Sequence, residues 1–325
     1  TPSTAGRPPF WPTGTNDPLP LFVPPPSILF PMCGRYVTVS SIQAVEQRFN
    51  VQAPTPWTAN TNVSHGDQAP VVASDKPGEV QMMQFGFTPG WAKKQYYMIN
   101  ARAEGDRNAV NDPSYTGAMG ILDKPMFRKA IRSQRCLVVA DAFIEGPERE
   151  KLSKPFVIYP RDGQRPFALA GIWDEWCDPA SGERLRSFAV LTTVSNALTQ
   201  AVGHHRAPVI LDPDREREWL NPDTPLGDVT AMLRTWDAKR FNAYPISPAI
   251  RDPRRNGSAL LQPVGQRVWP EFTHELHETL EVFGMGESQS RSRRAAEASD
   301  TTRGGGPMAE EPRGMTWGHQ GSLFD

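Results

Sequence analysis

The chain has 325 residues, 38% of them hydrophobic and 22% charged, with a formal net charge of -1. That length and apolar content allow one large domain or two of ordinary size. The charge balance excludes a generally basic nucleic-acid coat but not a local basic groove, since steering follows the distribution of charge rather than its sum. Cys33, Cys136 and Cys177 are odd in number and lack CxxC spacing. They argue against a disulfide framework or zinc ribbon and for a reducing cytosol. With no run of about 18 apolar residues, no membrane span is expected.

Residues 1–31 carry ten prolines. They are expected to be a disordered Pro-rich leader, or sequence upstream of the true start, and are too broken by proline for a secretory signal. Met32-Cys33-Gly34-Arg35-Tyr36 reads as the beginning of a protein. If translation starts at Met32 and the methionine is removed, Cys33 carries both a free amine and a free thiol. The alternative is that the domain cleaves its own leader.

From Met32 to residue 285 the pattern is α+β: a single domain of many short strands with short flanking helices. "RYVTVS" alternates as a strand. "SSIQAVEQRF" then turns helical, with Ser40 and Gln43 at capping-box spacing and Ile42, Val45 and Phe49 on one face. Strand-like runs follow at 80–87, 135–143, 155–159, 167–173 and 187–193, and "PDREREWL" and "GDVTAMLRTW" read as short helices. The last element expected is a helix over 271–283, with Phe272, Leu276, Leu280 and Phe283 as its stripe. Residues 286–325 are polar and Gly-rich and are expected to be a disordered tail. No internal repeat, P-loop, Rossmann fingerprint or GxSxG elbow occurs.

Four distant segments could do chemistry: "MCGRY" with Cys33; "INARAEG" with Asn100, Arg102 and Glu104; "RCLVVADAFIEG", which delivers Glu145 at a strand end; and "GHHRAPVIL" with His204, His205 and Arg206. They supply a nucleophile, a hydrogen-bond orienter and two acid/base groups. Each alone is a weak signal. A lone cysteine is more often buried structure, and a paired histidine more often packing.

Together the segments resemble a known family. "MCGRY", "FGFTPGWA" before "INARAE", "F-R-x(6)-RCL-x-x-AD-x-F-x-E", "AGIWDEW" and "TT-x(10)-HHR-x-PVIL" are similar, in order and spacing, to the SOS-response-associated peptidase (SRAP) family of abasic-site processing proteins. The resemblance implies that Cys33 becomes the N-terminus and attacks the aldehyde of an abasic site in single-stranded DNA. It implies a mixed sheet with a barrel-like core, and a thiazolidine crosslink with associated autopeptidase and lyase chemistry. Position by position it assigns Asn100 to holding the sugar or the amine, Glu145 to proton transfer in ring opening, and His204, two before Arg206, to acid/base work in Schiff-base formation. It places Arg35, Arg102, Arg128 and Arg206 on a phosphate track and offers Trp91 and Phe85 for base stacking. The chain departs from the family at Phe85, at Gly146 after the glutamate, at Ala207, and at "NVSH" over 62–65.

No metal or organic cofactor is implied, and a cytoplasmic monomer that joins the nucleoid when acting on DNA is expected. Gln320, Leu323 and Phe324 in the closing "QGSLF" resemble the peptide by which bacterial proteins dock on the replication sliding clamp. Two other readings stay open: a thiol peptidase acting on other proteins through Cys33 and His204, and a single-stranded DNA binder that has lost its chemistry.

Overall fold

Alternate side chains of the central strands enter two different buried clusters. Cys136, Val138 and Ala140 join one, Leu137 and Val139 the other. Both faces are covered, which is why these strands read as near-continuous apolar runs. The computed structural model describes residues 34–147, 150, 152–271, 275–276 and 282–283.

In chain order the strands are β1 (Arg35–Thr38), β2 (Asn60–Val63), β3 (Gln68–Ala73), β4 (Val80–Phe85), β5 (Asn100–Arg102) and β6 (Arg135–Ala140). They continue with β7 (Ala142–Glu145), β8 (Phe156–Pro160), β9 (Phe167–Cys177), β10 (Arg184–Val194), β11 (Arg206–Pro208) and β12 (Phe241–Pro245). Hydrogen bonding runs β10-β4-β3-β6-β9 and returns from β9 to β10, closing a five-stranded barrel. The second sheet is open, in the order β12-β8-β7-β1-β2. The helices are short: α1 (Ile42–Phe49), α2 (Ala130–Ser133), α3 (Ala197–Ala201), α4 (Glu216–Leu220) and α5 (Leu226–Ala231). This is the α+β class with the barrel-like core expected of the sequence.

The run over 135–143, expected as one strand, is two. Buried Asp141 ends β6 in the barrel, and β7 enters the second sheet. The Asp141 carboxylate accepts the backbone N–H of Val39 at 2.6 Å and of Ser40 at 2.8 Å, and the Ser40 hydroxyl as well. Ser40 is thereby taken away from α1. The helix is capped instead by Ser41, whose hydroxyl accepts the Ala44 N–H at 3.2 Å.

Strand β13 (Glu275–Leu276) pairs with β14 (Val282–Phe283), where a helix over 271–283 is expected. Apolar spacing over so short a stretch fits either form, and here backbone pairing decides. The leader, Cys33, and the tail with Gln320, Leu323 and Phe324 lie outside the described residues. Cys136 is buried and Cys177 exposed, and both are free thiols. No helix among the described residues is long and apolar enough to cross a membrane.

Candidate active site

Strand β10 gathers two of the four segments. Along one edge it pairs with β9 and then β11; along the other with β4 and then β5. Val190 stands opposite Asn100, Thr192 opposite Arg102 and Val194 opposite Arg206. The other two segments come from the second sheet, where β1 lies beside β7 with Arg35 opposite Ile144.

His204 arrives through α3. Asn196 caps that helix by accepting the N–H groups of Leu198 and Thr199, and Gly203 follows with φ at +80°. A left-handed turn of this kind suits glycine, and a Cβ there would meet Pro147 at 3.2 Å. The chain reverses, and the His204 N–H donates to the Thr199 carbonyl at 2.8 Å.

Glu145 and His204 meet in a cavity of about 240 Å³, lined also by Gly34, Arg35, His65, Gly146 and Arg251. Glu145 and His204 are each 3% exposed. His204 Nε2 lies 3.4 Å from Glu145 Oε2, and His204 Nδ1 lies 3.0 Å from the Gly146 carbonyl oxygen. A carbonyl can only accept, so Nδ1 carries a hydrogen. Nε2, which makes no hydrogen bond among the described residues, is then the nitrogen turned toward the Glu145 carboxylate. Such a pair can deliver or remove a proton at a single place, which is the equipment of general acid–base work.

His205 packs against His204 with ring centroids 5.1 Å apart. Burial foremost, then His204, Arg206 and Arg102, push its pKa down to about 4, so it is neutral near pH 7. Next along the chain, Arg206 Nη2 donates to Glu104 Oε2 at 2.7 Å and to the Thr192 hydroxyl at 3.3 Å. The Thr193 hydroxyl donates to Glu104 Oε1 at 3.2 Å.

The expected residues divide accordingly. Gly34, Arg35, Glu145 and His204 line the cavity, and Asn100 sits half-buried next to Ile99, which lines it too. Arg102 is half-buried, with Nη2 on the Asn108 carbonyl and the Asn111 side chain. Burial and then Arg206 hold its guanidinium below the ordinary value. Arg206 is fully buried against Glu104, so its place on an open phosphate track is not what the structure gives. The family resemblance put it there, but in β11 its side chain is turned inward. Phe85 is likewise core, 0% exposed between Tyr36 and Phe188, and no base can reach it. Trp91 is 59% exposed and can be reached. Arg128 is exposed but does not line the cavity.

Sequence reasoning missed His65 and Arg251 at the cavity. The departure "NVSH" held the first signal; the arginine-dense "RDPRRNG" at 251–257 held the second. A larger cavity of about 840 Å³ lies elsewhere, over Phe49, Leu137 and Leu220, and no residue singled out for chemistry lines it. Among the described residues, no three His, Cys, Asp or Glu side chains converge as metal ligands.

A family model described as SOS response associated peptidase (SRAP) matches residues 32–253. The chain belongs to the SRAP family. It is 30% identical over 239 residues to abasic site processing protein YoqW of Bacillus subtilis (strain 168), covering 71% of this chain and 99% of that relative. It is 29% identical over 238 residues to abasic site processing protein YoaM of the same organism, covering 71% and 97%. The fold is similar to the X-ray crystal structure of a protein from Bacteroides thetaiotaomicron, with a TM-score of 0.61 and 25% identity over 71% of this chain and 100% of that one. The SRAP match begins just before Gly34 and spans all of β1 to β12, so the whole cavity falls within it, while residues 254–257 of the arginine-dense segment lie beyond.

Proposed function

We propose that this SRAP-family chain processes abasic sites in single-stranded DNA by covalent capture at Cys33, once the chain begins at that residue. The observation that carries the reading is the position of Gly34, the residue bonded to Cys33, in one cavity with Glu145 and His204. The substrate class comes from the relatives, which are named abasic site processing proteins.

The open-chain sugar of an abasic site presents an aldehyde. The Cys33 amine, with an ordinary pKa of about 7.7–8.0, has a usable neutral fraction near pH 7. Its nitrogen adds to the aldehyde carbon, and loss of one water gives an imine. The thiol sulfur then adds to the imine carbon while the nitrogen takes a proton, closing a thiazolidine. Amine and thiol on one residue make the second step intramolecular. Glu145 and His204 supply the proton that departs with the hydroxyl as water, and at ring closure they pass the proton given up by the thiol to the nitrogen. Asn100 orients the sugar or the amine.

A peptide nitrogen cannot form the imine, so residues ahead of Cys33 must first be removed. Hydrolysis of the 32–33 bond, with uptake of one water, is the peptidase activity consistent with the family description. An imine that does not close can instead lose its β-phosphate, the lyase branch. Gln320, Leu323 and Phe324 would tether the chain to a sliding clamp and raise its local concentration at forks. Deleting the last six residues should then abolish clamp binding.

The test compares a chain beginning at Met32 with the full chain. Each is incubated with a single-stranded oligonucleotide carrying one abasic site, then boiled and run on a denaturing gel. A heat-stable shifted band that Cys33→Ala removes supports capture. Absence of the band from both leaves only a DNA binder, and cleavage of casein without a band favours the thiol peptidase.

A further inference from the structure

Arg35 does not face the cavity as an uncommitted cation. Its Nη1 donates to Asn62 Oδ1 at 2.9 Å and its Nη2 to the Arg251 carbonyl at 3.1 Å. Those bonds belong to a wider clamp on the segment 251–257, Arg-Asp-Pro-Arg-Arg-Asn-Gly. Asn62 Nδ2 donates to the carbonyls of Asp252 at 2.9 Å and Arg255 at 3.1 Å. Asn256 bonds back to the strand: its Oδ1 accepts the Thr61 N–H at 2.9 Å and its Nδ2 donates to the Ala59 carbonyl at 3.0 Å. The backbone of an exposed loop is thereby fixed to β2 from both sides.

What the clamp holds outward is charge. Arg251, Arg254 and Arg255 are all exposed, and Arg251 lines the cavity. Asp252 is the one carboxylate within the segment, and Arg254 engages it in a fork, Nε to Oδ1 at 3.0 Å and Nη2 to Oδ2 at 3.1 Å. Arg255 Nε stands 3.9 Å from Asp252 Oδ2. Among the described residues no carboxylate lies within ion-pair distance of Arg251. Exposed pairs of this kind exchange partners easily, and a guanidinium fork fits a phosphate as well as a carboxylate.

We infer that the 251–257 loop is a phosphate-binding rim, which takes the phosphodiesters of single-stranded DNA where they leave the cavity. This rests on the reading that the cavity receives one sugar of the strand. A cavity of about 240 Å³ holds little more than that sugar, so its flanking phosphates must pass over the edge. Arg251 is the cationic side chain exposed at that edge, and Arg254 and Arg255 continue away from it. Arg35 is a positioning residue here: it holds the Arg251 backbone rather than the strand.

The experiment measures binding of the full chain to a fluorescent oligothymidylate without any abasic site, by anisotropy over a series of NaCl concentrations. Intact DNA makes the readout independent of whether Cys33 reacts. The triple variant Arg251→Ala/Arg254→Ala/Arg255→Ala should show a log K against log salt slope shallower by about 0.7 for each phosphate it no longer neutralises, or by about two for all three side chains. Arg35→Met should weaken binding while leaving exposed Arg254 and Arg255 in place, so its slope should fall by less. The triple variant removes only exposed side chains, and an unchanged melting temperature checks that it is folded. A triple variant with the wild-type slope overturns the inference, as does a wild-type chain that does not bind intact single-stranded DNA. Loss of crosslinking with the slope difference preserved would overturn the capture chemistry and leave the rim standing.

Discussion

His204 is held between two oxygens of one strand end: its Nδ1 is 3.0 Å from the Gly146 carbonyl and its Nε2 is 3.4 Å from the Glu145 carboxylate. The carbonyl fixes which nitrogen is protonated, and the carboxylate faces the other. Ring orientation and tautomer are therefore set by adjacent residues of a single segment.

Replacing Glu145 with glutamine keeps the shape and removes the proton exchange. Covalent capture of an abasic oligonucleotide by Glu145→Gln should slow by about 10²–10⁴-fold, the usual worth of general acid–base catalysis. Timed samples on a denaturing gel give the rate. A rate close to that of wild type would remove Glu145 from the chemistry.

Gly146 has no space for a side chain. A Cβ there would stand 2.6 Å from the Lys154 carbonyl oxygen, a backbone atom that cannot swing away. Gly146→Ala should destabilise by about 1–3 kcal/mol, the range for overpacking, and Gly146→Trp by more. Both should shift the carbonyl that orients His204. Thermal unfolding measures the first effect, and the capture rate of the still-folded fraction the second.

Glu104 and Arg206 form an ion pair with side chains 1% and 0% exposed. Removing one partner strands a buried charge, so Arg206→Met should cost about 3–5 kcal/mol. The double variant Glu104→Gln/Arg206→Met should cost less than the two single variants together. Urea unfolding of the four proteins closes the cycle. Additive losses would mean that the two charges do not depend on each other.

Phe85 and Trp91 should separate cleanly. Phe85→Ala empties a core position and should cost about 3–5 kcal/mol of stability. Trp91→Ala should leave stability nearly unchanged and weaken single-stranded DNA binding by about 1–3 kcal/mol if a base stacks there. Calorimetry and anisotropy read the two effects, and equal DNA affinity for Trp91→Ala and wild type would take Trp91 off the strand's path.

The pKa of His205 is depressed from 6.5 to about 4 in the folded chain, chiefly by burial. Between those values the unfolded chain binds the proton and the folded chain does not, so acidification favours unfolding. Stability from this group is intact above about pH 6.5 and is lost progressively as pH falls toward 4. His205→Gln should flatten that part of the stability profile, measured by urea unfolding at several pH values. An unaltered profile would place the acid sensitivity elsewhere.

The strands at 167–173 and 187–193 were legible from their apolar content, whereas β3 and β12, buried as well, were missed because Pro70, Asn242 and Pro245 interrupt their apolar runs. β2 and β5 were not legible, since "NTNV" and "NAR" have neither length nor apolar alternation and exist by pairing with β1 and β10. The chemical residues were legible through motif spacing. Their arrangement was not, since it depends on which edge of β10 each segment takes. Burial of Arg206 and Phe85 was hidden for the same reason: a side chain's direction follows strand register, and register is a long-range property.

Asp141 makes that register a matter of counting. It pins the chain where β6 becomes β7, and from there the residues fall alternately into two cores: Phe143 into one, Ala142 and Ile144 into the other. Glu145 shares the parity of Phe143. One residue inserted between Asp141 and Glu145 would exchange Phe143 with its neighbours and turn the carboxylate to the opposite side of the sheet, whereas a substitution there would disturb packing alone. This stretch can change its letters, then, but not its length.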